Sequence, residues 1–321
     1  LIYKKREVPL RIMQNEAALR RLPPNYEKVP LIEADLKKRK AGYYGEKRVD
    51  YHLSFLNDKK YMIFHDIRLP LNPHYFQIDT LVVTPHYALI IEVKNLTGIM
   101  RIDPQIRQCT RIYNDKTEGF IDPVSQVTRQ KLLLQKWFLV NKLKAPPIDF
   151  LVVISNPATI LEYTTLPKPL SSYLKIIHSQ NLIDRIMDLN SQFSSKMVSD
   201  IDIAKIKRAI LKNHSSQEYN FLEKLNIPKE AILRGVQCKK CNFIPLQRVS
   251  SSWFCSKCSS FSDQDAIEDY LLLIDNKHTN RDLRWFLNLE SQKIATKILK
   301  SSNLLSSGTL KGTTYSRGRV T

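Results

Sequence analysis

The spacing of apolar and polar positions changes several times along the chain, and each change marks an element. Val49, Leu53 and Leu56 recur at intervals of four and three, which predicts a helix from Tyr44 onward. Tyr61 to Leu69 reads as a strand, and Gln77 to Lys94 (QIDTLVVTPHYALIIEVK) as two apolar strands joined by a tight turn. Gly98 to Ile102 is expected to continue or repair that sheet. Cys109 to Tyr113 is a further short strand, before a turn at Asn114-Asp115. Ser125 to Lys144 has helical period with Leu132, Leu133, Trp137 and Leu143, and Ala145-Pro146-Pro147 ends it. The run DFLVVI (149–154) is apolar on both faces, as in a buried strand. A strand at Leu174 to Ile177 and helices from Leu182 and around Asp202 to Leu211 complete an α/β domain, 41–220. Residues 1–40, basic and broken by Pro9, Pro23, Pro24 and Pro30, are set apart as an extension.

The C-terminal pattern differs. Asp265 to Asn276 is an apolar-faced helix, and Thr279-x-x-Asp282 is a capping box that opens a second helix through Leu287. Ser291 caps a third helix, which buries Ile294, Ala295, Ile298 and Leu299. The opposite face of that helix carries Gln292, Lys293, Thr296, Lys297 and Lys300, a mixture suited to base edges and phosphates. A hairpin from Leu304 to Tyr315 and then Arg317 and Arg319 follow. Helix, helix, turn, helix, hairpin over 263–321 resembles an α+β winged helix-turn-helix. A plain three-helix packing module is the alternative.

The hairpin at 77–94 is where chemistry is written into the pattern. Folded about Pro85-His86, its paired residue numbers sum to 171, so Asp79 falls opposite Glu92 and Gln77 opposite Lys94. With a side-chain period of two, all four project from one face. Two carboxylates directly across a strand pair repel each other, and a divalent cation between them removes that penalty. Asp79 and Glu92 are thus candidate ligands for Mg²⁺ or Mn²⁺, with the Val93 carbonyl as a third. Lys94 can orient a water or meet developing negative charge. The bland alternative is the solvated face of an edge hairpin.

Charge narrows the partner. Fifty Lys and Arg against 31 Asp and Glu give +19, so a polyanion, above all nucleic acid, is the expected ligand. No apolar run approaches the about 20 residues of a membrane-spanning helix. The first residues, LIYKKREVPLRIMQ, show no signal-peptide core. A cytoplasmic setting without a membrane partner is the expectation.

Cysteine spacing adds a second metal. Cys238-x-x-Cys241 and Cys255-x-x-Cys258 lie thirteen residues apart, the spacing of a closed tetrahedral Zn²⁺ site around a short hairpin. Four thiolates leave no open position, so this zinc would be structural. The expected ribbon spans 236–262. Cys109 stands apart as a small strand residue.

Three ordered blocks, GYYGEKRVDYHLSFL (42–56), QIDTLVVTPHYALIIEVKNLTG (77–98) and DPVSQVTRQ (122–130), together resemble the nuclease-related domain, NERD. That family belongs to the restriction-endonuclease-like folds with a D…ExK core. The resemblance implies a mixed central sheet flanked by helices, with Asp79, Glu92 and Lys94 on its middle hairpin. It also implies that Glu46, after Gly45, reaches the metal or its water, and that Gln126 holds substrate or the lysine. Gln130 lies one turn further on the same helical face. The function so implied is Mg²⁺-dependent hydrolysis of phosphodiesters in DNA, double-stranded above all, with a homodimer left open. A non-catalytic DNA-binding scaffold and an RNA-processing nuclease are the alternatives.

Overall fold

A computed structural model describes residues 2–56, 60–169, 171–262, 266–309 and 312–317. In chain order the first elements are β1 (Ile2–Lys4), α1 (Leu10–Arg21), α2 (Val29–Leu53), β2 (Met62–Leu71), β3 (His74–Val83) and β4 (Ala88–Lys94). Next come β5 (Ile99–Asp103), β6 (Gln108–Tyr113), β7 (Lys116–Phe120), α3 (Pro123–Val140), β8 (Ile148–Ile154), β9 (Ile160–Tyr163), β10 (Ile176–His178), α4 (Leu182–Gln192) and α5 (Asp200–Asn213). The last are α6 (Phe221–Lys224), β11 (Gln247–Val249), β12 (Ser252–Phe254), β13 (Phe261–Ser262), α7 (Ile267–Leu273), β14 (Lys277–Thr279), α8 (Asn280–Leu287), α9 (Gln292–Ser301), β15 (Leu304–Ser307) and β16 (Thr314–Arg317). They form two units. One takes the residues up to Glu7 and Lys40–Gln217, the other Val8–Arg39 and the residues from Glu218.

The first unit is built on a six-stranded mixed sheet in the order β1-β2-β3-β4-β8-β10. Strands β2, β3 and β4 are antiparallel, whereas β4, β8 and β10 are parallel. One face packs on α3 through Val127, Leu134, Trp137 and Phe138 against Phe64, Ile78, Ile90 and Val152. The other packs Val49 and Leu53 of α2 and Ile186 of α4 against Val82, Leu89, Ile91 and Val153. Burial on both faces is why β4 and β8 read as nearly unbroken apolar runs.

Helix α3 starts at Pro123, two residues before its predicted start. Asp122 caps it by accepting from the Val124 and Ser125 amides, and proline fits the first helical position. Leu132, placed by sequence on the packed face, is exposed, because the buried stripe runs through Val127, Gln130, Leu134 and Trp137 and residue 132 falls off it.

Three further expectations change. Gly98 to Ile102 does not extend the main sheet: β5 belongs to a separate four-stranded sheet, β7-β6-β5-β9. Gly98 turns the chain there with φ +93°, and a Cβ on it would lie 2.3 Å from the Ile112 carbonyl oxygen. Helix α2 begins at Val29 rather than Tyr44, since Pro30 sits in its first turn, where a missing N–H costs nothing. Finally, residues 1–40 are not a loose extension. β1 pairs with β2 in the main sheet, and α1 lies in the second unit.

The second unit has one apolar core, to which Ala17, Ala18, Phe221, Leu246, Trp253, Tyr270, Leu283, Phe286 and Leu299 all contribute. The cysteine ribbon and the C-terminal helices, separated by sequence at residue 262, therefore share a core. A ribbon of some 27 residues buries too little apolar surface to stand alone. Buried Arg21 ties α1 to α7 through Asp269 at 2.7 Å and stacks on the Phe286 ring. The capping box at Thr279 and Asp282 and the Ser291 cap are both present. Beyond the expected hairpin of β15 and β16, β14 adds a third strand on β16.

Candidate active site

The β3–β4 hairpin has the register that the alternation demands: Thr80 faces Ile91, Leu81 Ile90, Val82 Leu89 and Val83 Ala88. The backbone ladder stops there. In place of the next main-chain bond, the Asp79 carboxylate accepts the Val93 N–H through Oδ2 at 3.0 Å. Lys94 keeps its pairing with Ile154 of β8 but has no partner in β3, and Gln77, which the sequence set opposite it, is exposed and lies opposite Arg68 of β2. At its carboxyl end β4 thus parts from β3 while staying paired with β8, and the polar side chains collect at that point.

Glu92 is their centre, with 2% of its surface exposed. Its Oε1 takes Lys94 Nζ at 2.7 Å and Gln126 Nε2 at 2.7 Å, and its Oε2 takes Gln130 Nε2 at 2.8 Å. Gln126 Oε1 accepts from Lys94 Nζ at 2.9 Å. Gln126 and Gln130 stand one turn apart on α3, so the Asp122 cap that sets the start of α3 also sets both amides.

Glu46 sits deep in α2, not in a first turn. Gly45 lets the helix pass close to the ends of β4 and β8: a Cβ there would lie 2.5 Å from Asn95 Cβ and 2.6 Å from Ser155 Oγ. Asn95 Nδ2 adds a bond to the Ala41 carbonyl at 2.6 Å. Beside Glu46 lies a residue that sequence reasoning missed. Arg6, following β1, reaches Glu46 Oε2 and Asp66 Oδ1 at 2.7 Å each, Asp50 at 2.8 and 3.1 Å, and the Asp79 carbonyl at 3.1 Å. Within the run KKRE it looked like any solvated cation. His65-Asp66, two consecutive polar residues inside the strand MIFHDIRLPL, is the visible sign of its partners.

The electrostatics are those of crowded anions. Burial, then the charges of Glu92 and Glu46, push the Asp79 carboxyl well above its ordinary range. Burial raises Glu46 to about 7 against the pull of Arg6, with Asp66, Asp50 and Glu92 adding to the rise. Burial also lowers His65 to about 4. An excess of buried negative charge suits a hard cation. Glu92 Oε1 is filled by two donors, which leaves a lone pair on Oε2, and Asp79 Oδ1 takes no hydrogen bond from the described residues. Glu46 completes no tight triad with them. Among the described residues, the four cysteines are the group of three or more His, Cys, Asp or Glu whose ligand atoms all lie within 4.8 Å of one another.

In that group, Cys238 and Cys258 Sγ are 3.6 Å apart and Cys241 and Cys255 Sγ 3.5 Å. Four sulfurs at about 2.3 Å from a tetrahedral zinc would be separated by roughly 3.8 Å, so the donor set fits Zn²⁺. The two halves repeat one geometry. The Asn242 amide donates to Cys238 O and the Ser259 amide to Cys255 O, and both residues after the second cysteine have positive φ, 59° and 54°. The Ser260 hydroxyl approaches Cys238 and Cys258 Sγ at 3.5 and 2.9 Å and lowers the Cys238 thiol to about 6. Cys109, by contrast, is buried beside Asp122 and raised to about 12, an inert thiol.

On α9, Gln292, Lys293, Lys297 and Lys300 are exposed. Thr296 is committed internally, accepting from Asn280 Nδ2 at 2.9 Å and donating to the Gln292 carbonyl. Arg317 pairs with Glu268, and Arg319 lies outside the described residues. No helix among the described residues is long and apolar enough to cross a membrane.

Comparison with known proteins yields few relatives. No curated protein matches the chain. Among solved structures, protein VC1899 from Vibrio cholerae is similar over 58% of this chain, at 13% identity and a TM-score of 0.26. The chain spans about half the length of that protein, 51% of it. Residues 41–155, the stretch that holds Glu46, Asp79, Glu92, Lys94 and Gln126, match the family model of NERD, and the chain thus carries a nuclease-related domain at these positions.

Proposed function

We propose that the protein is a metal-dependent endonuclease that hydrolyses phosphodiester bonds of double-stranded DNA. The observation that carries this reading is the meeting of Asp79, Glu92, Lys94 and Gln126 at the end of β4, with carboxylate lone pairs left over. Asp79 Oδ1 and Glu92 Oε2, with the Val93 carbonyl, would hold Mg²⁺ or Mn²⁺. Such an ion would supply a water acidified for attack and offset charge on the phosphate.

The chain's own groups do the remaining work. Lys94 Nζ gives two of its three donors to Glu92 and Gln126, so one remains for the attacking water or a phosphate oxygen. Gln126 and Gln130 hold the Glu92 carboxylate in a single orientation. Glu46 commits Oε2 to Arg6 and keeps Oε1 to accept a proton from the water, which attacks in line. In the second unit, Zn²⁺ on the four cysteines is structural. The helices α7–α9 with the β14–β16 sheet act as a winged helix, whose α9 lysines grip phosphates while Gln292 reaches base edges.

Plasmid DNA incubated with the protein in EDTA, Mg²⁺ or Mn²⁺, with Glu92→Ala alongside, tests the reading. Metal-dependent nicking or linearisation that the variant lacks is the expected result. Cleavage that survives both Asp79→Ala and Glu92→Ala would sink the assignment. Intact plasmid with salt-sensitive binding would make the domain a scaffold.

A further inference from the structure

Arg6 lies outside the matched segment 41–155, yet its side chain, 3% exposed, is buried against the centre. Every guanidinium nitrogen is engaged. Nη1 bridges Glu46 and Asp66, Nε and Nη2 take the two oxygens of Asp50, and Nη2 also reaches the Asp79 carbonyl and Thr80 Oγ1. A planar fork meeting three carboxylates is an arrangement only arginine can make.

A second, independent observation lies in the backbone of β2. Its pairing with β3 joins His65 to Thr80 and Ile67 to Ile78, but skips the pair Asp66–Asp79. Asp66 adopts φ 49°, a left-handed conformation unusual for a residue inside a strand. Two carboxylates that regular pairing would set face to face are thereby separated, and Asp66 is delivered to Arg6. Strain of this kind persists where the surroundings over-determine it.

Glu7, Glu46, Asp50, Asp66, Asp79 and Glu92 gather against only Lys4, Arg6 and Lys94, so carboxylates outnumber cations around Arg6. We propose that Arg6 is a fixed counter-cation, standing among Glu46, Asp50 and Asp66 where a second divalent ion would otherwise be needed, so that the centre takes one ion. Arg6 is then a positioning residue: it holds Glu46 toward the centre and closes the carboxylate side to a second metal. The inference rests on reading Asp79 and Glu92 as ligands of the first ion.

Calorimetric titration of the zinc-loaded full chain with Ca²⁺, an oxygen-seeking probe, tests it. Wild type should bind one Ca²⁺ at the centre, Asp79→Asn none, and Arg6→Lys one. Arg6→Gln should bind two, and Arg6→Gln with Asp79→Asn one, at the vacated carboxylates. Two ions in wild type, or a folded Arg6→Gln protein that still takes one, would overturn the proposal. If Arg6→Gln folds only when Ca²⁺ is added, an ion has replaced the guanidinium, as proposed. If neither Arg6→Gln nor Arg6→Lys folds at any Ca²⁺ concentration, the role is purely structural and the proposal fails. No ion in wild type, but one gained by the double variant, would leave Arg6 as a counter-cation and remove the nuclease centre instead.

Discussion

Gln126 aims Lys94: its Oε1 accepts from Lys94 Nζ at 2.9 Å, while its Nε2 fastens the same network to Glu92 at 2.7 Å. Removing that amide leaves the lysine free to swing and Glu92 with one donor fewer. Gln126→Ala is expected to lower kcat/KM for Mg²⁺-dependent cleavage by about 10- to 100-fold, the usual effect of losing a group that orients a ligand. Melting temperature and DNA affinity should stay near wild type. Undiminished turnover would remove Gln126 from the mechanism.

The crowded carboxylates set a pH dependence. Asp79 titrates well above 3.8 in the folded state because of burial, Glu92 and Glu46, so above pH 4 the folded protein keeps a proton that the unfolded chain has released. Stability from this group is full below the unfolded pKa and is lost as pH rises through the folded one. Glu46, at about 7, acts in the same direction, while His65, lowered to about 4, acts oppositely below pH 6.5. Comparison with Asp79→Asn isolates the effect of the aspartate. In EDTA the variant should melt above wild type at pH 8, and the gap should close toward pH 4. A gap independent of pH would contradict the charge argument.

Two glycines of α2 should respond in opposite ways. Gly45→Ala forces a methyl group onto Asn95 and Ser155, displacing the helix and with it Glu46. We expect a loss of about 1–3 kcal/mol in urea unfolding and a sharp fall in cleavage. Gly42→Ala meets nothing within 4 Å and should gain up to about 1 kcal/mol from helix propensity, with cleavage retained.

Metal release separates the two centres. Denaturing the protein in the presence of a chromogenic chelator should liberate one zinc per chain, and any Cys→Ser change at 238, 241, 255 or 258 should abolish it and destabilise the core that Cys238 and Cys255 share. Ser259→Gly, at φ 54°, should raise the second unit's melting temperature while leaving zinc content unchanged.

For nucleic acid, the exposed Lys293, Lys297 and Lys300 are the cations to remove. Their triple alanine variant should flatten the dependence of log K on log salt by about 0.9 for each phosphate no longer neutralised. Thr296→Ala should instead act on folding, since Thr296 is tied to Asn280. An unchanged salt slope in the triple variant would move the interface away from α9.

Local rules made part of this protein legible. Period-two alternation and a symmetric turn were enough to set the hairpin register up to Thr80 and Ile91, the residues next to Asp79 and Glu92, because strand register is dictated by which face is buried. The CxxC pairs announced themselves by spacing alone. Arg6 did not, because its bonds to Asp79 and Thr80 span 73 and 74 residues, and nothing local to KKRE distinguishes a buried guanidinium from a solvated one. Pro30 concealed the true start of α2 for a similar reason: proline breaks a helix only in its interior. Sheet membership of β5 depended on where Gly98 sends the chain, which the apolar pattern of Ile99 to Ile102 does not encode.

The Val93 amide has a further consequence. It is a main-chain donor in the centre of a sheet whose acceptor is a side chain, Asp79 Oδ2, rather than a carbonyl. Its neighbours in β4 are locked by strand pairing, but the shielding of this one proton from solvent deuterium follows the state of a single carboxylate. Whatever protonates Asp79, replaces it or draws its oxygens elsewhere will change the exchange rate at Val93 before it alters the fold, making that amide a spectroscopic clock for the centre.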